Sequence, residues 1–175
     1  MLFTADPKTK AVIHYIISHA APDRLGATKL NKVMWRADIR HYRQFGSAIT
    51  GQTSYIRMPQ GPVPNFAKES IEELKAEGRI LERAVDTAVG NRREFVWIEK
   101  ASPGLFTREQ VEILQESIRM ICRKPAVQAS EETHDALWQE IENGDQIPIG
   151  AASVLIGQLD PSELNWALAL AKQTA

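Results

Sequence analysis

Four histidines and a single cysteine are the side chains best suited to chemistry in this chain, and their spacing serves it poorly. His14, His19, His41 and His134 include no His-Glu-x-x-His or comparable pair that could hold zinc. His134 and Asp135 are adjacent, so on a helix their side chains would diverge by about 100° and could not act as one ligand pair. Cys122 falls on the apolar side of a helical pattern, where a thiol is an inert core residue. No Gly-x-Ser-x-Gly elbow is present, and no glycine pattern that would cradle a phosphate. Gly61-Pro62-Val63-Pro64 is short of free amides, because proline donates none. Neither an enzyme nor a resident metal or cofactor is expected.

Charge points elsewhere. The chain carries 21 Lys and Arg against 22 Asp and Glu over 175 residues, a net of −1, which disfavours a generic polyanion binder. That balance hides a separation of sign. Residues 28–46 hold five bases (Lys29, Lys32, Arg36, Arg40, Arg43) and one acid, Asp38. Residues 130–145 hold six acids and no Lys or Arg. On a helix, Leu30, Val33, Met34, Ala37, His41 and Phe45 share one side and the five bases form a stripe away from it. Trp35, Ile39 and Tyr42 occupy a third sector, and aromatic residues beside arginine are the usual anchors of interfaces. Asp38 is expected in an ion pair with Arg57 or a neighbouring arginine, and His41 as a hydrogen-bonded core histidine.

The elements that must position these residues are mostly helical. Asp6-Pro7 reads as an N-cap followed by a first-turn proline, opening a helix that runs to about Ala20. Thr28 opens a second helix, which Gly46 stops. Residues 49–58 look extended, and Pro59, Gly61, Pro62 and Pro64 predict a rigid loop. A third helix is expected over 65–77, ended by Gly78, then a hairpin of 79–85 and 94–98 with a connection longer than a tight turn. Thr107-Arg108-Glu109-Gln110 is a capping box opening a fourth helix. A fifth helix is read over 130–143, and Asp160-Pro161-Ser162-Glu163 is a second capping box opening the last. The fold class is mainly α (α+β): about six helices with one small β-hairpin or short antiparallel sheet.

The run Thr28-Lys29-Leu30-Asn31-Lys32-Val33-Met34-Trp35-Arg36-Ala37-Asp38, followed by His41-Tyr42, Gly46, Ile49-Thr50-Gly51, Tyr55 and Gly61-Pro62-Val63-Pro64, resembles the Panacea domain of SocA-like antitoxins from bacterial and phage toxin–antitoxin pairs. Gly78-x-Ile80 and the His134, Trp138, Gly144, Ile147 spacing are similar too. The resemblance covers roughly residues 10–150. Where members usually have Leu-Tyr-Phe before Ala-Asp, this chain has Met34-Trp35-Arg36, which keeps a ring and adds a charge. The resemblance implies a cytoplasmic antitoxin that neutralises a cognate protein toxin by direct contact, or that hands it to a cytoplasmic protease. The partner-binding residues it suggests are Lys32, Trp35, Arg36, Asp38, Tyr42, Tyr55, Arg57, Gly61 and Pro62, with Asp38 and Pro62 shaping the site.

Residues 1–150 are expected to form the Panacea-like domain and 151–175 a helical extension packed on it. The alternative function is a winged-helix DNA-binding regulator, because a helix followed by a hairpin with Arg92-Arg93 near its tip has that order. Against it, the would-be recognition helix carries Glu69, Glu72, Glu73 and Glu77, which would repel phosphates. No apolar stretch approaches the length that crosses a bilayer, so no membrane partner is expected. The N-terminus has no basic segment followed by an apolar one, which argues against export.

Overall fold

Asp6 does cap the first helix. Its carboxylate accepts from the Thr9 amide at 2.7 Å, and Pro7 occupies the first turn of α1 (Pro7–His19). The computed structural model describes residues 5–88, 90–154 and 169 of the chain. The Asp160 capping box and most of the extension over 151–175 lie outside the described residues.

After a 3-10 turn at Pro22–Arg24 comes α2 (Ala27–Phe45), which closes with Gly46 in the left-handed region at φ 70°. Gly26, not Thr28, stands at its N-cap, and no side chain caps it. β1 (Ser54–Met58) follows, then β2 (Gly61–Pro64), α3 (Ala67–Ala76), β3 (Ile80–Thr87) and β4 (Gly90–Trp97). The proline-rich segment read as a loop is thus a strand. β2 is the outer member of a three-stranded antiparallel sheet of order β2-β1-β5, with β5 at Gln146–Pro148. An edge strand tolerates Pro62 and Pro64 because its missing amides face away from the ladder. The hairpin strands also run longer than expected, pairing from Ile80↔Trp97 up to Thr87↔Gly90, so their connection is tight.

A second 3-10 turn at Pro103–Leu105 precedes α4 (Arg108–Cys122), where Thr107 and Gln110 form the reciprocal capping box. The helix expected over 130–143 is broken into α5 (Ala126–Glu131) and α6 (Ala136–Glu140). The break has a local cause. Thr133 Oγ1 donates to the Ser130 carbonyl at 2.7 Å, and Asp135 takes extended backbone to accept from the Trp138 amide at 2.9 Å, capping a new helix. α7 (Ile149–Val154) is the last described helix.

The core is one cluster around α2. α1 contributes Val12, Ile13, Tyr15, Ile16 and Ile17; α4 contributes Ile113, Leu114, Ile118 and Ile121; α7 adds Ile149, Ala151 and Ala152. α2 is covered by α1, α4, α5, α7 and β2, so Trp35 and Ile39 are buried along with Leu30, Val33, Met34 and Ala37. At its C-terminal end Phe45, placed on the apolar side by periodicity, is exposed, with its ring tilted against His41. The hairpin attaches mainly through its base, where Ile80 and Phe95 enter the core against α1 and α3.

Candidate functional site

Three of the residues expected at an interface instead tie α2 to the sheet from inside. Asp38 is 1% exposed. Its Oδ1 accepts from the Thr50 amide at 3.1 Å, and its Oδ2 accepts from Thr50 Oγ1 at 2.5 Å and from the Tyr55 hydroxyl at 2.8 Å. Burial raises the Asp38 carboxyl above its ordinary range, and these donors pull it back. Tyr55 is fully buried, and its phenol is pushed well up by burial and by the neighbouring Asp38 charge. Trp35 meets the Tyr55 ring edge-on at 5.0 Å. The expected ion pair between Asp38 and Arg57 does not form. Asp38 is held by hydroxyl and amide donors because residues 49–51 fold back over it. His41 is a buried histidine whose Nδ1 lies 2.5 Å from the Ser47 carbonyl oxygen.

Lys32 departs furthest from the sequence reading. Helical periodicity puts it in a basic stripe away from the apolar side, yet it is 1% exposed, because β2 passes directly over the first half of α2. A Cβ on Gly61 would overlap Lys32 Nζ and Thr133 Oγ1, and Gly61 sits at φ 104°; only glycine suits that position. Burial lowers the Lys32 amine from its usual 10.5 to about 8. It makes no hydrogen bond or ion pair among the described residues. Pro62, next along β2, is buried, and Tyr42 is half-buried with its hydroxyl against Gly150.

Next to Lys32, where α2 faces α5, α6 and α7, the packing leaves a cavity of about 380 Å³. Its walls include Lys32, Arg36, Arg40 and Arg43, with Trp35, Ile39 and Ile121 between them. Glu132 and Asp135 stand on the opposite side. Most of the α2 stripe therefore lines a concavity and is not an open face. Arg40 pairs with Glu116, and Arg43 Nε donates to the Ser153 carbonyl at 2.5 Å.

Arg57 is half-buried on β1. Its guanidinium carbon lies 3.8 Å from the centre of the Trp138 ring, which is itself stacked on His134 at 3.7 Å. Trp138 Nε1 donates to the Met58 carbonyl at 3.2 Å, pinning the stack to the β1–β2 turn. Burial, with the positive charges of Lys32 and Arg57, holds His134 below the ordinary histidine range, and its Nε2 has no partner. Met58 and Val127 are exposed beside the stack. A shallow hollow of about 370 Å³ runs between the β1–β2 turn and α5, lined by Thr28, Pro59, Gln60, Ala126, Val127 and His134 among others. The spacing of His134 and Trp138 was visible in the sequence, but their pairing with Arg57, 81 residues from Trp138, had no local signal. Thr133 offered none at all.

Of the nine expected residues, the structure groups Trp35, Asp38 and Tyr55 in one buried knot, and sets Lys32 beneath Gly61 of β2. Arg36 opens on the cavity and Arg57 on the stack. Among the described residues no three His, Cys, Asp or Glu side chains gather in a metal-holding group, and no helix is long and apolar enough to cross a membrane. Cys122 is half-buried, and burial raises its thiol.

Comparison with curated proteins and with solved structures finds no match. The family model described as Antitoxin SocA-like, Panacea domain, matches residues 30–139, more than half the chain. That interval holds α2 from Leu30 onward, β1 and β2, the Arg57–Trp138 stack and the buried knot of Trp35, Asp38, Thr50 and Tyr55. The chain belongs to the SocA-like antitoxin family and carries its Panacea domain.

Proposed function

We propose that this protein is an antitoxin that neutralises a cognate protein toxin by direct contact, through the face formed by the β1–β2 turn, α5 and α6. Family membership supports the class of function. The Arg57–Trp138–His134 stack supports the place. It is a rigid aromatic and cationic feature at the surface, flanked by exposed Met58 and Val127, and such groups anchor protein interfaces.

The charge around that face favours a basic partner surface. Glu131, Glu140, Glu142 and Asp145 are all exposed, and none makes an ion pair among the described residues. Unpaired acids at a rim speed association with a positive partner and select against a negative one. The hairpin, by contrast, suits DNA poorly. Arg83 and Arg92 are both drawn onto Glu94, at 2.8 and 2.5 Å, and Arg93 lies 3.3 Å from Glu82. The base-rich tip is thus largely neutralised from within.

Co-expression with the adjacent reading frame tests the proposal. The neighbour is expected to arrest growth alone and to co-purify with this protein. Arg57→Glu, or Glu140→Lys with Glu142→Lys, is expected to weaken the complex at least tenfold while thermal unfolding is little changed. Constant toxin levels in the rescued cells indicate sequestration, and falling levels indicate handover to a protease. A neighbour that is neither toxic nor bound overturns the reading.

A further inference from the structure

We propose that the cavity between α2 and the α5–α6 segment is a binding site for a small phosphomonoester dianion carrying an apolar group. This goes beyond toxin neutralisation and does not rest on it.

The balance of charge in the cavity is the first observation. Four bases face it from one helix, and two acids from the other side. Most of these are already engaged. Arg40 is paired with Glu116, Arg43 Nε is bonded to the Ser153 carbonyl, and Glu132 meets Lys124 at 2.5 Å. Asp135 spends a carboxylate oxygen capping α6. Two donors remain. Lys32, 99% out of solvent, makes no hydrogen bond or ion pair among the described residues, and Arg36 Nε is buried with none there, although Glu116 lies within the Arg36 field. A native fold rarely leaves one buried cationic donor unsatisfied, and two such side chains in the wall of a common hollow call for an anion to complete them.

The shape is the second observation. About 380 Å³ is at the small end of ligand pockets, room for a ring or short chain with a charged head. Trp35, Ile39 and Ile121 supply an apolar wall, while Arg43, Glu132 and Asp135 are exposed and bring the cavity to the surface. Arg36 supplies planar donors and Lys32 a point charge, the pairing that suits tetrahedral phosphate better than a single carboxylate.

Isothermal titration of the full chain with phenyl phosphate, inorganic phosphate and benzoate tests the site. Phenyl phosphate is expected to bind saturably at one site, with benzoate and inorganic phosphate each at least tenfold weaker. Lys32→Met and Arg36→Gln are each expected to lose at least tenfold in affinity for phenyl phosphate. Arg108→Gln, on the exposed side of α4, is expected to bind as the parent does. Circular dichroism shows that each variant is folded. Absence of saturable phenyl phosphate binding, benzoate binding as tightly as phenyl phosphate, or undiminished binding by folded Lys32→Met overturns the proposal.

Discussion

Replacing Lys32 by methionine is expected to make the protein more stable at neutral pH. The side chain keeps its unbranched course under β2 and loses only its ammonium, which has no partner among the described residues. Burial brings the amine down from 10.5 to about 8, a drop of roughly 2.5 at about 1.4 kcal/mol for each, so the charged form disfavours the fold by about 3.5 kcal/mol. The sign follows from proton counting. Between about pH 8 and 10.5 the unfolded chain holds a proton on Lys32 that the folded chain has released, so stability contributed by this group rises with pH across that window and is lowest below it. Burial alone is the cause of the drop; Arg36, Glu132 and Asp135 line the same cavity, and burial also holds His134 below its ordinary range. The advantage of Lys32→Met over the parent is therefore about 3 kcal/mol near pH 7 and smaller by about 2 kcal/mol near pH 9.5. Urea unfolding of both proteins at a series of pH values, with slopes compared, measures it. Parallel stability curves for the two proteins across that range would show that the amine is not desolvated, and the reasoning would fail.

Three further outcomes follow from the same geometry. Gly61→Ala is expected to destabilise by about 2 to 4 kcal/mol in urea, because the added carbon meets Lys32 and Thr133 at a φ of 104°. Tyr55→Phe removes a 2.8 Å donor from buried Asp38, for a loss of about 1–3 kcal/mol that is larger at neutral pH than in acid, since burial raises the Asp38 carboxyl and the protonated form needs the donor less. Trp35→Ala is expected to cost about 3–5 kcal/mol in the same assay, an unfolding effect and not a surface one, because the ring is 7% exposed.

Signals that act within a few residues were legible in the sequence. The Asp6 cap, the Gly46 stop and the Thr107–Gln110 box each depend on neighbours only, and each formed. The proline run misled because proline's rule is about amides, and an outer strand needs fewer of them. The long helix over 130–143 misled because composition does not show that Asp135 will cap its own helix. Helical periodicity placed Lys32, Trp35 and Asp38 correctly around α2, but a wheel gives angles and not neighbours. Whether a sector is wet depends on β2, α5 and α7, which arrive from later in the chain. The Arg57–Trp138 stack was hidden for the same reason.

The central position of α2 also sets how the molecule breathes. Its amides become reachable only when α1, α4, α5, α7 and β2 have all let go, whereas β3 and β4 hold chiefly to each other and are moored at one end. Deuterium should therefore enter the far half of the hairpin by local opening, long before it enters the middle of α2, whose exchange would report the free energy of complete unfolding. An interaction at the β1–β2 turn or in the hollow under it would then be felt as slower exchange in α5 and α6 first, with the spine unchanged.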